Sequence, residues 1–214
     1  MHLLFFVEEK PMKYIIMCGG PRSDRPLQKV KDETIIARTL RLLRENKIED
    51  IAISTLDPRY EIYDVPILQH DNPTIWKDFE WLKAFYPMTE PACYIFGDVF
   101  FSPAAIRTIV DTETDDIQFF ASARPFDPRY IKRWAEPFAF KVKNTTRFFE
   151  CVAYTIELGK LGRFRRVPPI SWELWQVIKD TELNRIDYTN YIAINDYTVD
   201  PDNAKEVAMI QGYA

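Results

Sequence analysis

Three short segments carry residue types that suit polyphosphate and its counter-ions. The first runs Cys18-Gly19-Gly20-Pro21-Arg22-Ser23-Asp24-Arg25-Pro26-Leu27. Paired glycines let a backbone come close to a ligand and present N–H groups to an anion. Arg22 and Arg25 can add charge-assisted hydrogen bonds to phosphate. The same stretch also reads as a plain strand-to-helix turn with solvated arginines. It is neither the GxGxxG of dinucleotide sites nor the GxxxxGK(S/T) of P-loops. The second segment is Gly97-Asp98, directly after the apolar run Tyr94-Ile95-Phe96. An aspartate just past a buried strand suits a magnesium ion, which takes one or two carboxylates plus phosphate oxygens. Its other reading is a turn or capping residue. The third is Ile194-Asn195-Asp196-Tyr197-Thr198-Val199-Asp200-Pro201-Asp202, with three aspartates. It equally reads as a solvated turn in which Asp202 or Asn203 caps a last helix. Two carboxylates about 5 Å apart repel by about 3 kcal/mol at an effective dielectric near 20. Convergence of Asp98 with Asp196 or Asp200 in one crevice therefore requires a divalent cation or a shared proton.

Other candidates are weaker. His70-Asp71-Asn72 follows a short strand and could touch a base or an acceptor, or be a loop feature. Trp134, Trp172 and Trp175 could stack on a sugar or base. Aromatic residues form 14% of the chain, so core or interface positions suit them as well. Arg163, Arg165 and Arg166 could meet an acceptor phosphate or lie on a solvated loop. An exposed aromatic face would point to a homodimer.

Composition excludes several classes. The 214 residues carry 28 Lys and Arg against 32 Asp and Glu, a net charge of −4, which disfavours non-specific nucleic-acid binding. His2 and His70 are the two histidines, so His-rich zinc sites are excluded and a Ser-His-Asp triad would have to use His70. Cys18, Cys93 and Cys151 are far apart and form no CxxC pair. They read as reduced, mostly buried thiols of a cytoplasmic protein. No apolar run approaches the roughly 18–20 residues of a membrane span.

The elements that must position these residues follow from periodicity. Tyr14-Ile15-Ile16-Met17 is a buried strand running into the glycine loop. Asp32 can cap a helix whose apolar face is Ile36, Leu40 and Leu43, with Asn46 at its end. Strands follow at 51–54, at 65–68 (an edge, given Pro66), at 93–96 and at 117–121. Residues 76–85 have helical spacing. Ser102-Pro103 is a helix start. Residues 138–142 alternate as a strand, 146–158 and 171–178 read as helices with a loop at 159–169 between them, and 204–209 as a final helix. This alternation predicts an α/β three-layer sandwich, a mostly parallel central sheet with helices on both faces. Residues 13–214 read as one domain. Residues 1–12 read as an N-terminal extension, with Met12 a possible natural start, or as an edge strand.

Taken in order, these residues resemble the nucleotidyltransferase superfamily with a GT-A-type, nucleotide-diphospho-sugar transferase-like fold, over roughly residues 13–207. The strand and glycine loop match Ile15-Ile16-Met17-Cys18-Gly19-Gly20. The Lys-Pro-Leu-like element matches Arg25-Pro26-Leu27-Gln28-Lys29-Val30, and the helix Thr34-Ile35-Ile36-Ala37-Arg38-Thr39-Leu40. The Gly-Asp strand matches Tyr94-Ile95-Phe96-Gly97-Asp98, and the late acidic element Asp200-Pro201-Asp202-Asn203-Ala204-Lys205-Glu206-Val207. The resemblance implies Cys18, Gly19, Gly20 and Arg22 against the nucleotide, and Arg25 where the family has a phosphate-gripping lysine. It implies Mg2+ on Asp98 with Asp200 or Asp196. The implied reaction is attack by a phosphate of a small acceptor on the α-phosphorus of an NTP, with loss of pyrophosphate. Two other readings remain: a glycosyltransferase of the same fold using a nucleotide sugar, and a nucleotide-binding protein without turnover. The single aspartate of Gly97-Asp98-Val99, in place of Asp-x-Asp, favours nucleotidyl over glycosyl transfer. The short Pro21-Arg22-Ser23-Asp24 stretch is the feature that favours binding alone.

Overall fold

The fold, seen in a computed structural model that describes residues 11–19, 24–70, 80–123, 135–165 and 171–213, alternates strand and helix. The first half comprises β1 (Lys13–Met17), β2 (Lys29–Val30), β3 (Glu33–Thr34), α1 (Ile35–Glu45), β4 (Ile51–Ser54), β5 (Ile67–Leu68) and β6 (Ala92–Phe96). The second comprises α2 (Pro103–Asp111), β7 (Ile117–Ser122), β8 (Pro137–Val142), α3 (Thr145–Lys160), α4 (Ser171–Lys179), β9 (Ile192–Ile194) and α5 (Ala204–Ile210).

Seven strands make one sheet in the order β5-β4-β1-β6-β8-β7-β9. β8 runs antiparallel to β6 and β7, and the other pairings are parallel. The sheet is therefore mostly parallel. Strand periodicity divides its side chains between two layers. Tyr14 and Ile16 of β1 pack with Ile36, Leu40 and Ile106 of α1 and α2. Ile15 and Met17 face the other way, onto Phe148 and Trp172 of α3 and α4. Ile15 and Ile16 are both fully buried, so each contributes about 1.5–3 kcal/mol of apolar burial to a different face of the same strand. A smaller cluster joins Val30, Ile35, Phe100, Val199 and Ile210, and fastens α5 beside the end of β6.

Helix starts obey local chemistry. Ser102 caps α2, its Oγ accepting from the Ala105 N–H at 2.9 Å, with Pro103 in the first turn. α1 is capped by Thr34, which accepts from the Ala37 N–H at 3.2 Å. This corrects the expectation of Asp32. The intervening residues form a two-strand hairpin instead, and Lys31 takes a positive φ of 56° at its turn. The buried Lys141 of β8 donates to the carbonyls of Ile109, Val110 and Thr112 at 2.7–3.0 Å, closing the end of α2.

Several elements differ from their expected form. Residues 80–84 form a 3-10 helix, while 71–79 lie outside the described residues. α3 runs on to Lys160, taking in Gly159. β9 is a parallel edge strand beside β7, built on the short apolar run Tyr191-Ile192-Ala193-Ile194, which was not among the expected strands. Residues 1–10 of the expected extension lie outside the described residues, as do Trp134 and Arg166. Among the described residues no helix is long and apolar enough to cross a membrane.

Candidate functional site

The carboxyl ends of β1, β4 and β6 meet at two glycines. A Cβ on Gly97 would lie 2.5 Å from Cys18 Sγ and 2.6 Å from the Met17 carbonyl oxygen. Only a hydrogen atom fits between these strand ends, and the Gly97 N–H donates to that carbonyl at 2.9 Å. Gly19 is half-buried, and a Cβ there would lie 2.2 Å from His70 Nε2. His70 is 3% exposed, so its ring forms a wall against the glycine turn. His70, expected near a base or an acceptor, packs against the start of the loop. Gly20, Arg22, Asp71 and Asn72 lie outside the described residues.

Cys18 sits beneath this turn, fully buried. Burial first, then the negative charge of Asp98, push its thiol well above the ordinary range. It stays protonated, and its carbonyl accepts from Thr55 Oγ1 at 2.9 Å. It therefore serves the floor of the site rather than as a nucleophile.

The late acidic segment reaches this crevice through one β-bridge. Phe100 and Val199 exchange backbone hydrogen bonds at 2.8 and 3.2 Å. That pairing carries Asp200 and Asp202 alongside the turn of Asp98, about 100 positions earlier in the chain. Arg25 closes the group. Its Nη1 donates to Asp202 Oδ1 at 2.8 Å and lies 3.6 Å from Asp200 Oδ1, and its Nη2 donates to the Asp202 carbonyl at 3.1 Å. Burial would lower the Arg25 pKa. The hydrogen bond to Asp202 and the charges of Asp200, Asp202 and Asp98 outweigh it and raise the guanidinium above its ordinary value. Arg25, Asp98 and Asp200, distant in sequence, thus share one electrostatic neighbourhood.

Two features depart from the sequence expectation. Asp196 accepts from Ser102 Oγ through Oδ2 and from the Thr198 N–H through Oδ1 at 2.7 Å. Both oxygens thus take part in the hydrogen bonding around the start of α2, and Asp196 lies outside the group of three carboxylates that could hold a metal. In its place stands Glu136, at the entrance to β8 and 3% exposed. Its Oε2 accepts from the Asp200 N–H at 3.0 Å. One carboxylate oxygen each from Glu136, Asp200 and Asp202 lies within 4.8 Å of the others. Asp98 is outside that trio and acts on the group through its charge. The only sequence signal for Glu136 was an acidic residue at the mouth of an apolar strand, in Ala135-Glu136-Pro137. Asp202 and Asn203 were the two capping candidates for the last helix. Asn203 takes that task, accepting from Lys205 and Glu206 at 3.0 and 3.1 Å, which leaves Asp202 to Arg25.

Of the three candidate tryptophans, Trp172 and Trp175 take the core reading. Trp172 is fully buried, 4.9 Å edge-on from Phe119, and Trp175 is 2% exposed.

An all-oxygen set of this kind suits a hard divalent cation. Carboxylate oxygens within 4.8 Å of one another repel by at least about 3.5 kcal/mol per pair at a dielectric near 20. Arg25 offsets part of that cost, so the crevice retains an attraction for added positive charge.

No protein-family model and no curated protein matches this sequence. Solved structures do. The fold is similar to one described as a glucose-1-phosphate thymidylyltransferase from Bacillus anthracis, determined in complex with a sucrose. The TM-score is 0.57 at 15% identity, with 95% of each chain covered. It is equally similar to CTP:phosphocholine cytidylyltransferase from Streptococcus pneumoniae, at 0.57 and 15%, with 95% of this chain and 99% of that one covered. Both neighbours are nucleotidyltransferases. The expected α/β, nucleotide-diphospho-sugar transferase-like fold is the fold observed.

Proposed function

We propose that the chain transfers a nucleotidyl group from an NTP to a small phosphorylated acceptor, such as a sugar phosphate, and releases pyrophosphate. The observation that carries this reading is the convergence of Arg25 with Glu136, Asp200 and Asp202 at the carboxyl ends of the strands. Ligands bind at that edge of open α/β sheets. The two structural neighbours, named for thymidylyl and cytidylyl transfer, support the reaction class.

The backbone at Gly19 would meet the triphosphate on the side away from the His70 ring, which fills the space a side chain would take. Arg25 neutralises phosphate charge, and its fork suits two oxygens at once. Glu136, Asp200 and Asp202 would hold Mg2+, with Asp98 adding negative charge nearby. Bound there, the ion would supply charge neutralisation at the phosphates. An acceptor phosphate oxygen attacks the α-phosphorus, and the bond to the bridging oxygen of pyrophosphate breaks. The acceptor phosphate is already ionised, so no side chain need take a proton. The protein's contribution is positioning and electrostatics, with no covalent nucleophile.

The test is pyrophosphate release. The protein is incubated with each of four NTPs, Mg2+ and a panel of sugar phosphates and phosphocholine. One NTP–acceptor pair should give release, and Arg25→Ala or Asp200→Ala should reduce it at least 100-fold, about the value of one well-placed charged donor. NTP-dependent thermal stabilisation without release from any pair would leave a binding protein, and neither effect would remove the reading altogether.

A further inference from the structure

Arg25 already holds an anion supplied by the chain itself. Its two terminal nitrogens both engage Asp202, one through the carboxylate and one through the backbone carbonyl. This is the two-pronged arrangement that a guanidinium offers a phosphate. Arg25 is 16% exposed, whereas Asp202, at 36%, stands at the solvent side of the crevice. Both are also fixed through their backbones. The Arg25 carbonyl accepts from the Gln28 N–H at 3.0 Å in the turn before β2. The Asp202 N–H donates to Glu206 Oε2 at 2.7 Å, in the first turn of α5. The carboxylates of Asp98 and Asp200 add their field to the same guanidinium.

We infer that Asp202 is an internal substitute for phosphate that occupies Arg25 and so makes the site select cation-loaded over free polyphosphate. This rests on the polyphosphate reading above. A free polyphosphate meets the negative field of Asp98, Glu136, Asp200 and Asp202 and must displace Asp202 from Arg25. A polyphosphate that arrives with a divalent cation brings a competing partner for the Asp202 carboxylate. The guanidinium is then released to the phosphate oxygens. Asp202 is thus a specificity-determining residue acting through Arg25, and it ties the arginine's availability to the cation. The shared position of Asp202 in the three-carboxylate group and in the Arg25 pair is what couples the two.

The experiment is calorimetric titration with inorganic triphosphate, a probe without a base, in EDTA and in MgCl2. The wild type should bind weakly in EDTA and more tightly with Mg2+. Asp202→Asn keeps the size of the side chain and removes its charge. It should bind about tenfold more tightly than wild type in EDTA, the scale of one charge-assisted contact, and gain less from Mg2+. Asp202→Ser should do the same, which covers the case in which the asparagine variant does not fold. In an Arg25→Met background the Asp202 substitution relieves only its share of the negative field and should raise EDTA affinity by much less than tenfold. An equal gain in that background would show a general field effect and overturn the inference. So would unchanged or weaker EDTA binding by both folded Asp202 variants while the wild type binds in MgCl2. No binding by wild type in either buffer would instead remove the polyphosphate reading, and the inference with it.

Discussion

Gly19→Ala tests the geometry at the head of the glycine loop without any assumption about ligand. Gly19 does not have a positive φ, so an alanine there meets no backbone strain. Its cost comes from one contact. The new Cβ would lie 2.2 Å from His70 Nε2 and 2.9 Å from Cε1, where ordinary contact begins near 3.4 Å. His70 is 3% exposed and has little room to retreat. Overpacking of this kind costs about 1–3 kcal/mol. For a chain of this size that is a fall in Tm of about 2–12 °C. The assay is urea unfolding of wild type, Gly19→Ala, His70→Ala and the double variant. His70→Ala alone loses a buried ring, at about 2 kcal/mol. In the double variant the alanine at 19 has space, so its cost should drop below about 0.5 kcal/mol and the coupling should be at least about 0.5 kcal/mol. Gly162→Ala is the contrasting control. Its φ is +65° with nothing within 4 Å, so its cost of about 1 kcal/mol comes from the backbone and should persist in the His70→Ala background. Additivity at Gly19 and His70 would refute the packing argument, and with it the role of His70 as the wall of the loop.

Two more outcomes follow from the structure. Burial pushes the Cys93 thiol up to about 12 from 9.0, so the folded protein keeps this proton while the unfolded chain loses it. Its contribution is complete below pH 9 and declines as pH rises toward 12. Unfolding free energies at pH 9 and 10 should therefore fall by about 1 kcal/mol less in Cys93→Ala than in wild type; equal falls would place the thiol in a more hydrated setting. Asp196→Ala removes the partner of Ser102 at the start of α2 and should cost about 1–2 kcal/mol of stability. Its Mg2+-dependent affinity for inorganic triphosphate should stay within twofold of wild type, whereas a larger loss would return Asp196 to the cation site.

The sheet core was legible because a parallel strand buried on both faces must be apolar along its length. Tyr14-Ile15-Ile16-Met17 and Cys93-Tyr94-Ile95-Phe96 meet that demand, and both are central strands. β9 escaped because it is an edge strand of three residues, Ile192–Ile194, half exposed and in register only through β7. The cap of α1 was misplaced because Asp32 and Thr34 satisfy the same local rule, and the pairing of β2 with β3 decides between them. At the site, Arg25, Asp98 and Asp200 stood out because each follows a strand or precedes a helix in the chain. Glu136 did not, since its role depends on a hydrogen bond to Asp200 across 64 positions.

Residue order alone therefore determined where the central strands and most helices form, which faces are apolar, and which short segments end at the ligand edge of the sheet. These depend on side-chain periodicity and capping, which act over a few residues. Tertiary structure alone decided how the acidic residues divide their labour. The bridge of Phe100 with Val199 sets Asp200 and Asp202 against Arg25, while the hydroxyl of Ser102 claims Asp196. Four aspartates of identical chemistry receive different tasks because a carboxylate's role is set by the donors and charges that come within a few ångströms of it, and chain spacing does not encode those neighbours.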